Sequence, residues 1–180
     1  MTWPIASKRT VYENPWIVVS EDQVTRPDGS QGIYGVVEVR NEAVFIVAMT
    51  EADEVILVTV DRHTVGASVE VPAGGSDGED LLSAAQRELA EETGYEAESW
   101  QRIGRMTALN GICRAPETVF LARDLRMSAD EGRGQLEEGV TDVRAVPWTR
   151  LMGMIADGTI TDGETVAALM YAAIALGRLG

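Results

Sequence analysis

Scarcity sets the first bounds on this chain. A single cysteine, Cys113, excludes an internal disulfide and leaves no thiolate-based zinc site. The single histidine, His63, carries no mark of a ligand or a base and reads as structural. No apolar run approaches the roughly 20 residues that a membrane span needs. The opening Met1-Thr2-Trp3-Pro4 lacks the charged-then-apolar layout of a secretory signal. These absences together read as a reducing, cytoplasmic setting. Cations are scarce too: 15 Lys and Arg stand against 29 Asp and Glu, a net charge of −14. This opposes nonspecific binding to nucleic acid, which depends on Lys and Arg neutralising phosphates, and no nucleic-acid partner is expected. It does not oppose a small phosphate substrate, provided that metal cations mediate the contact.

What is present is the balance of an ordinary globular protein, 45% hydrophobic and 24% charged over 180 residues. A chain of this length buries roughly 70% of its unfolded surface. Residues 17–20, 23–25 and 33–39 are β-prone, and Pro27-Asp28-Gly29-Ser30 between the last two is a hairpin turn. Residues 43–49 and 55–60 are apolar runs that read as paired core strands, and residues 69–71 continue the strand pattern up to Pro72. Residues 80–93 have helical composition, stopped by Gly94. Residues 118–122 and 143–146 are again β-like, separated by a polar, Gly-rich, acidic stretch at 124–141 that reads as a long loop. Helices are expected at 151–156 and 165–176. The class is α+β, with an N-terminal β subdomain over residues 1–40 and a main domain over 41–180.

Chemistry concentrates on the helix at 80–93. At 100° per residue, Leu82, Ala85 and Leu89 fall within about 60° of one another and form an expected buried face. Relative to Leu89, Glu92 lies at about −60°, Glu88 at about −100° and Glu91 at about −160°. Three carboxylates thus share one flank. Like charges three and four residues apart repel by a few tenths of a kcal/mol per pair, a penalty that a hard divalent cation removes. Glutamates at this spacing are also common on solvated helices, so the surroundings decide. Upstream, Val69-Glu70-Val71-Pro72-Ala73-Gly74-Gly75 ends a strand in a sharp turn, and Ser76-x-x-Glu79 has the form of a capping box.

Strand, Gly turn, capped helix and carboxylate face together resemble the Nudix box, G-x5-E-x7-R-E-U-x-E-E-x-G-U. From Glu79 onward the match runs through Arg87, Glu88, Leu89, Glu91, Glu92, Gly94 and Tyr95. The expected first Gly falls on Ala73, so the turn is one residue short and Gly74 takes the backbone role. Beyond the box, Pro72-Ala73-Gly74, Asp61-Arg62-His63-Thr64-Val65-Gly66, Phe120-Leu121-Ala122-Arg123-Asp124-Leu125 and Gly158-Thr159-Ile160-Thr161-Asp162-Gly163-Glu164-Thr165 are similar to segments of the ADP-ribose pyrophosphatase branch. Where that branch shows S-P-G, this chain has Leu109-Asn110-Gly111.

The resemblance implies a Nudix fold, a mixed β-sheet sandwiched between helices with an antiparallel N-terminal β subdomain. It implies Mg²⁺ (or Mn²⁺) held by Glu88, Glu91, Glu92 and the Ala73 carbonyl, with Arg87 orienting the glutamates. Glu79, about 180° from Glu88 around the helix, is expected to cap rather than ligate. The implied general base is Glu137 or Glu138 on the acidic loop, with Glu117 a further candidate. Substrate contacts fall to Arg62, on the diphosphate, and to Gly74, Gly111 and Glu117. Trp16 and Tyr34 read as core packing, with stacking on a nucleobase as the alternative. The implied reaction is hydrolysis of a nucleotide sugar, ADP-ribose giving AMP and ribose 5-phosphate, by a homodimer. GDP-mannose or UDP-glucose as substrate, a non-catalytic ADP-ribose sensor and a purely acidic interaction surface are the competing readings.

Overall fold

The computed structural model describes residues 3–128, 135 and 139–179. In chain order these form β1 (Ile5–Glu13), β2 (Ile17–Thr25), β3 (Gln31–Val39), β4 (Ala43–Ala48), β5 (Glu54–Arg62), β6 (Gly66–Glu70), β7 (Ala73–Gly75), α1 (Leu81–Thr93), β8 (Tyr95–Thr107), β9 (Cys113–Arg114), β10 (Pro116–Met127), β11 (Val140–Pro147), α2 (Trp148–Ala156) and α3 (Gly163–Ala175). They fall into two compact units. One comprises Met1–Glu42 with Thr107–Pro116, the other Ala43–Met106 with Glu117–Gly180.

The first unit is a sheet in the order β1-β2-β3-β9. Its central hairpin is the one the turn residues predict. Gly29 sits at φ +84°, where a side chain would be strained, and Asp28 Oδ1 accepts from the Ser30 N–H at 2.9 Å. Residues 17–25 form one strand rather than two short ones. β1 escapes the sequence pattern because all nine of its residues are exposed, so no alternation announces it. The return segment at 107–116 belongs to this unit because Cys113 and Arg114 run parallel to Val37 and Glu38, a pairing outside the expected division at residue 40.

The second unit has two sheets, β7-β4-β10-β8 and β11-β5-β6. At its centre β4 and β10 are parallel, Ala43 facing Glu117 through Ala48 facing Ala122. Alternation along these strands builds two cores. Val44, Ile46, Ala48, Ile56, Phe120 and Ala122 pack with Ala84, Ala85 and Leu89 of α1. Val47, Leu57, Val119 and Leu121 pack with Leu151 of α2 and Ala168, Leu169 and Ala172 of α3. Helices therefore cover both faces, as the α+β expectation has it.

Two expectations are corrected here. β4 and β5 do not form a ladder; they touch through the single Met49–Val55 bridge. The tight turn between them holds Asp53 at φ +62° and sends the strands into different sheets. The stretch at 124–141 is also not loop from its start, because β10 continues to Met127. Among the described residues, no helix is long and apolar enough to cross a membrane.

Candidate active site

The catalytic-looking helix starts differently from the sequence expectation. Its N-cap is Asp80, whose Oδ2 accepts from the Leu82 and Ser83 N–H groups at 3.1 and 3.3 Å. The Ser76-x-x-Glu79 box does not form, because Glu79 is one residue outside the cap. Its carboxylate instead accepts from Arg87 Nε at 3.1 Å. The buried face is rotated as well. Ala84, Ala85, Glu88, Leu89, Glu92 and Thr93 are buried while Leu82 is exposed. Glu88 and Glu92 thus point inward, at 5% and 3% exposure, whereas Glu91 remains on the wetter flank.

What they point at is the turn at 72–75. β7 lies against β4, Ala73 facing Phe45 and Gly74 facing Val44. The Ala73 N–H donates to Glu92 Oε2 at 3.0 Å. A Cβ at position 74 would fall inside the Glu88 carboxylate, so Gly74 is what admits Glu88 to this place. Arg87 binds the assembly together. Its Nη1 donates to Glu88 at 2.8 Å and to Glu91 at 3.0 Å, and its Nη2 donates to the Gly75 carbonyl at 3.0 Å. Burial alone works against the guanidinium charge, but the hydrogen bond to Glu79 and the negative charges of Glu88 and Glu91 outweigh it and raise its pKa.

Two buried carboxylates crowded on one turn, with a third beside them, are a costly arrangement unless cations offset the charge. Arg87 supplies one cation. The remaining donor set is all hard oxygen at a helix–turn junction, the chemistry that suits Mg²⁺ or Mn²⁺, and Gly74, having no side chain, lets the Glu88 carboxylate come up against that turn. The residues fit the metal. Among the described residues, no three carboxylates are already converged on one point; Arg87 holds Glu88 and Glu91, and Ala73 holds Glu92.

Around this turn lie further charged groups: Arg62 and Glu117, which the sequence singles out, and Glu70, Asp162 and Glu164, to which it assigns no role. Arg62, at the end of β5, forks onto Glu70, with Nε at 3.2 Å from Oε1 and Nη2 at 2.6 Å from Oε2. That hydrogen bond raises its pKa, with added help from the charges of Glu92 and Asp162. Glu117, at the start of β10, is 5% exposed and its Oε2 has no hydrogen-bond partner among the described residues. Burial, with the charges of Glu164 and Asp162, pushes it up to about 7. Asp162 caps α3 through the Thr165 N–H at 2.7 Å, and Thr165 Oγ1 accepts from the Val71 N–H at 3.1 Å. The segment at 158–165 therefore anchors the strand that delivers Pro72 and Ala73. Asp162 in that segment and Glu70, a charged residue on a buried strand, were the signals available in the sequence.

Arg62, Ala73, Gly74, Arg87, Glu88, Glu91, Glu92 and Glu117 all belong to the second unit. Gly111 belongs to the first, where its carbonyl accepts from the Tyr34 hydroxyl. Tyr34 meets Trp3 edge to face at 5.4 Å beside a cavity of about 370 Å³ that also carries the buried Asp22. Trp16 is 69% exposed, so core packing does not describe it. Glu137 and Glu138 lie outside the described residues.

Comparison with known proteins adds the following. Residues 3–37 match the nucleoside diphosphate sugar hydrolase N-terminal domain, and residues 39–169 match the NUDIX domain. A GDP-mannose pyrophosphatase of Yersinia enterocolitica is 34% identical over 118 residues, 64% of this chain and 60% of that relative's length. An ADP-ribose pyrophosphatase of Bacillus subtilis is 28% identical over 167 residues, 92% of this chain and 89% of the relative. One from Mycobacterium tuberculosis is 36% identical over 123 residues, 67% of this chain and 59% of the relative. The crystal structure of an ADP compounds hydrolase superposes with a TM-score of 0.84 at 23% identity, over 99% of this chain and 98% of the other. This last likeness shows a shared fold.

Proposed function

From the premise that the chain belongs to the Nudix hydrolase family, whose domain spans residues 39–169, we propose that it hydrolyses the diphosphate of a nucleoside diphosphate sugar in a Mg²⁺-dependent reaction. ADP-ribose, cleaved to AMP and ribose 5-phosphate, is the first reading. The observation that carries it is the pair of buried carboxylates, Glu88 and Glu92, packed on the Ala73–Gly74 turn and steered by Arg87. The ADP-ribose pyrophosphatase of Bacillus subtilis, aligned over nearly the whole chain, supports the substrate. The GDP-mannose pyrophosphatase relative supports GDP-mannose as the second.

Glu88, Glu91, Glu92 and the Ala73 carbonyl would hold the metal, which when bound neutralises charge on the diphosphate and activates the attacking water. The chain's own residues do the rest. Arg87 keeps the glutamates from repelling one another and aligns them. Arg62 offers a fixed guanidinium to the diphosphate, the geometry that planar phosphate recognition favours. Proton removal from water falls to Glu137 or Glu138. Among the described residues the candidate is Glu117, whose carboxyl is poised near neutrality, as a base working at that pH should be. The exposed apolar residues of the first unit, Ile5, Val11, Tyr12, Trp16 and Ile33, support a homodimer, and the lone thiol fits a cytoplasmic setting.

The test is purified protein with Mg²⁺ against ADP-ribose, GDP-mannose and UDP-glucose, with products resolved by chromatography. Release of AMP and ribose 5-phosphate from ADP-ribose is expected. Activity that survives replacement of both Glu91 and Glu92 by Gln would remove the catalytic assignment.

A further inference from the structure

Glu70 has no part in the reaction described above, yet its place is unusual. It ends β6, opposite Val58, and is 6% exposed. A buried carboxylate is unfavourable unless a cation and hydrogen bonds meet it. Arg62 does both, and the ladder explains how. Asp61 faces Ala67 and Arg62 faces Gly66, so residues 58, 60 and 62 of β5 share one sheet face with 66, 68 and 70 of β6. The Arg62 side chain lies back along that face to reach Glu70, and the fork closes through Nε and Nη2. This leaves Nη1 with no acceptor among the described residues. The guanidinium is held on one edge and offers the other, and its charge is felt by Glu92 of the catalytic helix and by Asp162.

We propose that Glu70 is a positioning residue, which locks the Arg62 guanidinium before substrate arrives so that Nη1 meets the diphosphate already aligned. The inference rests on the reading that Arg62 recognises the diphosphate. An arginine on a flexible stem must give up rotamer freedom when it binds phosphate. Here that freedom is already lost in the free protein, so binding gains affinity by preorganisation. The same bond keeps the buried Glu70 paired, so neither residue is replaceable alone.

The experiment compares wild type, Glu70→Gln, Arg62→Ala, Arg62→Lys and the Glu70→Gln/Arg62→Ala double variant. Three quantities are read for each: KM and kcat on the nucleotide sugar that wild type cleaves, Kd for ADP-ribose by calorimetry in EDTA, and Tm. Glu70→Gln is expected to raise KM and Kd about tenfold while changing kcat less, the mark of lost ground-state positioning. Arg62→Lys, which keeps the charge and loses the fork, should match it. In the Arg62→Ala background, Glu70→Gln should change neither KM nor Kd, because it acts only through Arg62. It should raise Tm there, by removing an unpaired buried carboxylate. Equal losses from Glu70→Gln with and without Arg62, or an unchanged Kd in a folded Glu70→Gln protein, overturn the proposal alone. If wild type neither cleaves nor binds any nucleotide sugar, the functional reading falls and takes the proposal with it. Should Glu70→Gln fail to fold, Arg62→Lys decides: an unchanged KM would refute a role for the fork.

Discussion

Gly74 is the residue on which the site turns. A methyl group there would occupy the volume of the Glu88 carboxylate, and neither side can yield easily, since Glu88 is buried and tied to Arg87. Gly74→Ala is expected to cost about 1–3 kcal/mol of stability, the range for overpacking, and to reduce Mg²⁺-dependent turnover by at least about 100-fold, as small misplacements at reacting centres do. Thermal unfolding and steady-state rates would check both. Glu117 makes a second prediction. Its carboxyl is raised from an ordinary 4.5 to about 7, so between these values the folded chain holds more protons than the unfolded one. Its contribution to stability therefore falls as pH rises through that window, and the full penalty stands above pH 7. Asp162 and Glu164 face it and add to the penalty. Glu117→Gln should raise Tm at pH 8 by a few degrees, 1 kcal/mol being worth about 2–4 °C at this length, and change it little at pH 4.5. If Glu117 is the base, the acidic limb of the kcat profile near pH 7 vanishes in the same variant.

At the scale of elements, α1 and α3 show what a sequence discloses about itself. The carboxylate helix is legible because its residues are consecutive, and Gly94 ends it where expected. Its cap is not, because Ser76-x-x-Glu79 and Asp80 are equally plausible starts until the turn before them is fixed. Asp80→Ala is expected to lower stability by about 1 kcal/mol, while Ser76→Ala should cost less; comparison of their denaturant midpoints decides. Which helix face is buried was also unreadable from apolar spacing, since the inward positions are filled by Glu88 and Glu92 rather than by Leu82. A site that buries charge breaks the rule by which faces are read. β1 and β8 do not stand out in the sequence pattern for a related reason: one is exposed throughout and the other is mostly polar and half-buried. In α3, Thr165 is fully buried and its hydroxyl holds the Val71 N–H. Thr165→Val keeps the shape and orphans that N–H, which should cost about 1–3 kcal/mol and lower turnover through the displaced turn, measurable as a joint loss of Tm and kcat.

For the whole molecule, the charge of −14 and the crowded carboxylates predict that Mg²⁺ stabilises the fold, apart from its part in the proposed reaction. At about 100 times its Kd, a ligand that binds only the folded chain adds about 2.7 kcal/mol. Tm should rise with Mg²⁺ and return with EDTA, and Glu88→Gln/Glu92→Gln should abolish the response. The parallel contact of β4 with β10 has a consequence for how the protein is made. Ala43 must wait for Glu117, about 70 positions later, which at about 5–20 residues per second is several seconds of synthesis. During that interval one edge of β4 has no neighbour, and residues 44–48 are apolar throughout. An uncovered edge of this kind invites pairing with other chains. The yield of native protein should therefore depend on how fast the ribosome delivers β10, so that slower initiation, which spaces nascent chains apart, or a chaperone that shields nascent strands improves it without any change in the finished enzyme.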